Sequence, residues 1–163
     1  MSLNPFEFRK AMGSFATGIT IITVEVDDKV HGMTANAFAS VSLTPPLVLV
    51  CVDQSARTHG HLHARKRFGL NVLAEDQRAI SEYYARPLEE QVDEPVASFD
   101  RTAHGTPVLY GALTYLECRL QTAQDAGDHT IFIAEVEEVV VRQGKPLLYF
   151  GRKYHQIGEE VLE

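Results

Sequence analysis

The sequence predicts a mainly β fold, an antiparallel barrel carrying a few short flanking helices. Six or more runs of β-branched and aliphatic residues recur along the chain, each too short for a buried helix. Turn signals such as Asp27-Asp28-Lys29, Pro45-Pro46 and Gly127-Asp128 punctuate them. Strands do not alternate regularly with long helices, which excludes a doubly wound nucleotide-binding sheet. At 163 residues one domain spanning 1–163 is expected, large enough to bury a core without disulfide staples.

The first element, over residues 3–15, reads as a short helix. Asn4 is placed to cap it, Pro5 suits the first helical position, and Glu7 stands where a capping box requires it. Phe8, Met12 and Phe15 recur at helical spacing and are expected to pack inward. GITIITVEV then opens a hairpin, and residues 30–43 begin extended before turning small and polar. LVLVCV, FGLNVL, ALTYLECRLQ, TIFIAEVEEVVV and LLYF read as further strands. Two helices interrupt them, over about 58–66 and 76–85, with Asp76 as a candidate cap for the second. Residues 86–107 are polar and proline-punctuated, a long surface loop.

Composition removes whole classes of function. The net charge is −7, which argues against nucleic acid or an anionic membrane as partner. No apolar run reaches the roughly 20 residues of a membrane span, and the N-terminus carries no apolar signal region. Cys51 and Cys118 lack the spacing of a zinc site and are too few for a disulfide scaffold. Free thiols, a reducing compartment and a cytoplasmic location are expected.

Four stretches can carry chemistry. In TANAFASVS, residues 34–42, six of nine residues are Thr, Ala or Ser, where a strand normally places bulk. Small side chains let a flat ligand approach the backbone, although a strand packed under a helix has the same composition. The stretch 54–74 holds no acid, yet contains Arg57, Arg65, Lys66 and Arg67. Within it, Ser55-Ala56-Arg57-Thr58 stands where a strand ends and a helix begins, a place suited to phosphate. A solvated helix face remains the alternative. His59, His61 and His63 do not suggest a metal, because i and i+2 diverge on a helix. His129 opens a strand after Gly127-Asp128, and GRKYH follows LLYF with Gly151 at a turn and Arg152 and Lys153 beside it. Neither a phosphate-binding P-loop, a dinucleotide fingerprint nor a matched nucleophile and base is present, so any enzymatic activity would draw its reactivity from a cofactor.

Taken together, MGSFATGITIIT, HGMTANAFASVSLTPPLVLV, FGLNVLAEDQ, GDHTIFIAEV and PLLYFGRKYHQI resemble the flavin reductase family. The likeness is to the reductase components of two-component flavin-dependent aromatic monooxygenases, such as those for phenol or 4-hydroxyphenylacetate. It covers a core of about 6–157. The resemblance implies an FMN-binding split β-barrel of Greek-key topology, usually a homodimer. It also implies an NAD(P)H:flavin oxidoreductase that supplies reduced FMN or FAD to a separate oxygenase component. Thr34, Ala35, Asn36, Ala37, Phe38, Ser40 and Val41 would line the flavin ring and ribityl chain. Ser55, Ala56, Arg57 and Thr58 would hold its phosphate. His129, Gly151, Arg152, Lys153 and Tyr154 would meet the nucleotide of NADH or NADPH. No residue is implied as a catalytic group, because hydride passes between the two cofactors, and no metal is implied. Two alternatives share the barrel: a non-catalytic flavin carrier or sensor, and an FMN oxidase resembling pyridoxamine-phosphate oxidase.

Overall fold

The computed structural model of the chain describes residues 3–91 and 96–161. Among these residues, three α-helices run at α1 (Pro5–Met12), α2 (Arg57–Arg65) and α3 (Arg78–Tyr84). Twelve strands follow the order β1 (Thr17–Gly18), β2 (Thr20–Val26), β3 (Lys29–Ala35), β4 (Phe38–Leu43), β5 (Pro46–Asp53), β6 (Arg67–Val72), β7 (Phe99–Arg101), β8 (Pro107–Leu109), β9 (Thr114–Ala126), β10 (His129–Val141), β11 (Leu148–Phe150) and β12 (Lys153–His155). Seven form one antiparallel sheet in the order β3-β2-β6-β9-β10-β5-β4. Neighbours in that sheet are often distant in sequence, as Greek-key connections require. β1-β11-β12 and β7-β8 make two smaller sheets.

The period-2 pattern of β2 explains why the core has two halves. Ile22 and Val24 join Val50, Val52, Leu62, Phe68, Leu70 and Phe132 on one side. Ile19 and Ile21, on the alternate face, join Leu73, Tyr83, Tyr84, Leu109 and Leu147 on the other. Each such side chain contributes roughly 1.5–3 kcal/mol by leaving water. Alternation along one strand thus ties the large sheet to α3 and the small sheet.

Several local expectations are corrected. Phe8, Met12 and Phe15 do not pack inward: α1 buries no residue, and Phe15 is 76% exposed. Helical spacing shows that a stripe exists but not that the stripe meets this chain's own core. Asn4 does cap α1, its Oδ1 accepting from the Phe6 N–H at 2.9 Å. Asp76 does not cap α3, whose N-cap is Gln77. The Gln77 side chain instead accepts from the Ala74 N–H and donates to the Tyr110 carbonyl. The stretch 86–107 is not loop throughout, since it holds a 3₁₀ turn at Leu88–Glu90 and β7. Its residues 92–95 lie outside the described residues.

Candidate functional site

β3 and β4 are the two outermost strands of the large sheet, and residues 36–37 cross from one to the other. Sequence reasoning treated the small-residue stretch as one lining; the structure divides it. Thr34 and Ala35 face the protein. The Thr34 hydroxyl donates to the Ser81 carbonyl at 2.7 Å, and Ala35 is buried with its carbonyl accepting from Thr20. Asn36, Ala37 and Ser40 are exposed, and Phe38 is half-buried against the core. Pairing slips between Ser40 and Ser42, so Val41 is bulged out and 46% exposed. Asn36 lines two cavities of about 260 and 370 Å³, shared on one side with Phe15, Thr17 and Phe38 and on the other with Tyr149 and Arg152.

β5 leads directly to the strand–helix corner. The Asp53 carboxylate accepts from the Ser55 N–H at 2.7 Å and the Ser55 hydroxyl at 2.6 Å. These bonds, the hydroxyl's foremost, hold its carboxyl below the usual carboxylate range. Ser55 is therefore braced on an acid, an arrangement that Asp53-Gln54-Ser55 announces as a local side-chain turn. Ala56 is the N-cap of α2 with no side-chain capping bond, and Thr58 is buried. Arg57 lies outward, on a cavity of about 190 Å³ lined also by His31, Met33, Tyr84 and Leu88. The rings of His31 and His61 stand 4.6 Å apart. Burial lowers the pKa of both, and nearby Arg57 lowers each further. Arg57 and Arg86 are the cations of that wall.

The cations of the acid-free stretch do not act as one island. Arg67 pairs with Glu137 and approaches Glu117 at 3.4 Å, while Arg65 is 4.0 Å from Asp27. The acids come from β9, β10 and the β2–β3 turn, which sequence distance conceals.

His129 pairs with Asp53 across β10 and β5, and the Gln54 side chain donates to its carbonyl. The hairpin thus stands beside the strand–helix corner. The His129 Nδ1 lies 2.7 Å from Asp128 Oδ1, and that contact depresses the Asp128 pKa. If His129 donates from Nδ1, its Nε2 remains free to accept.

In the β11–β12 turn, Gly151 and Arg152 have φ of 56° and 65°. Two successive positive values make the tight hairpin turn that glycine and asparagine usually supply. Tyr154 is braced: its hydroxyl lies 3.1 Å from Ser81 Oγ, Tyr149 meets its ring edge-on, and Arg78 lies over its face. Lys153 and Arg152 are exposed. Among the described residues, no hydrogen bond joins this turn to His129. The turn reaches Asn36 instead, through the shared 370 Å³ cavity.

Residues 12–158 match the family described as flavin reductase like domain. The chain belongs to that family. It is 38% identical over 162 residues to an NADH-dependent flavin reductase of Rhodococcus sp, covering 95% of this chain and 88% of that one. Against the reductase component of a 4-nitrophenol 4-monooxygenase/4-nitrocatechol 2-monooxygenase of Rhodococcus opacus, identity is 39% over 152 residues, with 93% and 80% covered. The solved flavin reductase PheA2 in its native state superposes with a TM-score of 0.89 at 42% identity, covering 96% and 100%. The Streptomyces globisporus C-1027 NADH:FAD oxidoreductase SgcE6, in complex with NAD and FAD fragments, gives 0.88 at 33% identity, with 97% covered on each side. The split barrel read from the sequence is the fold of these structures.

The residues of this flavin reductase fit a flavin. β4 is an edge strand whose outer N–H and C=O groups have no strand partner among the described residues. Ala37, Ala39 and Ser40 keep that edge low enough for a planar ring, and among the described residues Asn36 and Ser40 make no side-chain hydrogen bond of their own. Asp53, Ser81 and Asp128 escaped the sequence reading. Their adjacency to Ser55 and His129 signalled two of them; nothing local signalled Ser81.

Proposed function

We propose that this chain is an NAD(P)H:flavin oxidoreductase, a single domain that delivers reduced FMN or FAD to a separate oxygenase component. The observation that carries the proposal is the unpaired β4 edge, whose neighbour Asn36 shares a cavity with Arg152. A bound flavin supplies the acceptor and NAD(P)H the donor for hydride transfer, so no protein nucleophile is needed. The chain's own work is to hold two rings face to face, and orientation of this kind lowers a barrier by about 7–11 kcal/mol. Asn36, Ala37, Phe38, Ser40 and Val41 line the ring, while Thr34 and Ala35 fix the strand behind it. Arg57 and the first-turn amides of α2 face the flavin phosphate, with Ser55 and Thr58 shaping that turn. His129, oriented by Asp128, and the Gly151, Arg152, Lys153 and Tyr154 turn contact the nicotinamide nucleotide. The exposed Phe8, Met12, Val41 and Leu43 support a homodimer that covers them, since an apolar surface of this kind favours a partner. No described helix is long and apolar enough to cross a membrane, and the free cysteines fit a cytoplasmic location.

Anaerobic NADH and NADPH oxidation with FMN, FAD and riboflavin in turn tests the activity. Stoichiometric bleaching of flavin is expected. A yellow preparation that binds flavin but ignores both pyridine nucleotides would sink the reductase reading in favour of a carrier. His129→Ala is expected to raise the KM for NADH more than it weakens flavin binding; the reverse pattern moves His129 to the flavin side.

A further inference from the structure

His31 on β3 and His61 on α2 are both half-buried and stand ring to ring, 4.6 Å between centroids. His31 lines the 190 Å³ cavity that Arg57 and Thr58 share with Met33, Tyr84 and Leu88. Among the described residues, the Nε2 of His61 is sealed from water and has no hydrogen-bond partner. A buried ring nitrogen left so costs stability, which sets this pair apart from histidines on a solvated face. By contrast, the Nε2 of His59 lies 2.8 Å from the Thr130 hydroxyl and the Nδ1 of His129 lies 2.7 Å from Asp128.

The charges around the pair are lopsided. His31 faces His61 and Arg57 of α2, Asp27 of the β2–β3 turn and Lys29 of its own strand. His61 faces Arg57 and Arg65 along its helix, together with Asp27. Arg86 joins the cavity wall after α3, and Tyr84, whose hydroxyl burial pushes up to about 12, stays neutral there. Asp27 is the one acid of this set, and its exposed carboxylate is shared with Arg65 at 4.0 Å. Burial first, and these cations after it, lower the pKa of both imidazoles. An anion entering the cavity reverses the balance, because an opposite charge within a few ångströms favours the protonated ring.

We propose that the His31–His61 pair is a proton-linked sensor of the flavin phosphate: a phosphate dianion beside Arg57 draws one proton from solvent onto the pair. This rests on the placement of that phosphate at Arg57 and the start of α2. Two rings so close do not both accept a charge readily, so the uptake is one proton. The pair therefore discriminates FMN from riboflavin, which carries the same ring without the phosphate. Its pKa is higher with phosphate bound than without. Affinity for FMN is thus greatest below the free value and falls as pH rises toward the bound one. The phosphate's own second ionisation, near about 6, weakens FMN on the acid side and so cannot mimic this slope.

Dissociation constants of FMN and riboflavin are measured by titration on wild type between about pH 6.5 and about pH 8.5, where imidazole alone changes charge among ordinary side chains. Calorimetry in two buffers of different ionisation enthalpy counts the protons taken up. For FMN, uptake approaching one proton and a weakening of about tenfold across this range are expected, while riboflavin stays flat. The double variant His31→Gln/His61→Gln is expected to lose the slope and to bind FMN about tenfold more weakly at the acid end, with riboflavin as in wild type. Thermal melts establish that it is folded, and the wild-type proton count decides the matter without any variant. FMN binding with no proton uptake and no slope beyond that of riboflavin overturns the sensor. So does a slope that survives intact in the double variant. Arg57→Gln is expected to bring FMN toward riboflavin at every pH. FMN affinity unchanged in Arg57→Gln is a separate failure: it defeats the placement of the phosphate, and the sensor with it.

Discussion

Two regions place polar side chains on the same barrel and treat them in opposite ways. On β9, Glu117 has a side chain only 1% exposed. Its carboxylate accepts from the Thr102 hydroxyl at 2.9 Å and the Thr106 hydroxyl at 2.5 Å, and meets His104 at 3.1 Å and Arg67 at 3.4 Å. Every polar group in this socket is committed, and the turn 102–106 is clamped to the sheet. Along residues 36–41 the polar groups lie at an unpaired edge, and the Asn36 and Ser40 side chains have no hydrogen-bond partner among the described residues. Buried polar groups must be satisfied internally or destabilise the fold, whereas edge groups keep their capacity for a ligand. Hydrogen-bonding capacity left unused marks the site, and the count of polar residues does not.

The largest break in this comparison comes from Glu117→Leu. It strands Thr102 and Thr106 without their acceptor and leaves Arg67 only Glu137, and a loss of about 3–5 kcal/mol is expected by denaturant unfolding. A loss under about 1 kcal/mol would show that water replaces the carboxylate and that the socket is not a clamp.

Gly69→Ala strikes the same region from behind. Gly69 pairs with Glu117 across β6 and β9, and an added Cβ would stand 2.4 Å from Thr23 Oγ1 and 2.6 Å from the Pro107 carbonyl. Pro107 is backbone and cannot swing aside, so about 1–3 kcal/mol of destabilisation is expected, with the Thr23 to Pro107 bond displaced.

Acid supplies a graded version. Burial works to raise the Glu117 pKa, but hydrogen bonds from Thr106, His104 and Thr102 outweigh it and leave the carboxyl below its ordinary value. A depressed carboxylate stabilises the fold fully above the ordinary carboxylate pKa and loses that contribution as pH falls through its folded value. The melting temperature of wild type is therefore expected to fall across that acid window more steeply than that of Glu117→Gln. Parallel curves would remove Glu117 from the acid response.

Ala37→Leu should produce the smallest change in stability, within about 0.5 kcal/mol, because the site is exposed. Flavin affinity should nevertheless drop at least about tenfold as the new side chain occupies the ring's place, about 1.4 kcal/mol in binding. Unchanged flavin affinity would move the ring off the β4 edge.

Much of this architecture was legible in one dimension. Strands were visible because β-branched runs and turn residues act locally, and the Asn4 cap, the Gly127 turn and the positive φ at Gly151 are local too. The family resemblance supplied the expectation that residues 34–41 line a flavin. The division of the small-residue stretch into an inner and an outer half was not legible. It depends on Ser81 and Thr20 reaching Thr34 and Ala35 from other elements. Nor could the Glu117 socket be read, since β6, β9 and the turn 102–106 meet there only in the folded chain.

Local patterning alone determined that this chain makes antiparallel strands, puts small residues at one crossing and keeps its cysteines apart. Tertiary structure decided which polar groups are spent and which are available. It paired Arg67 with acids from distant strands, left Arg9 and Arg152 facing no acid among the described residues, and turned the stripe of α1 away from the core. Backbone propensity operates over a few residues, while charge neutralisation and hydrogen-bond satisfaction are settled only when distant segments meet.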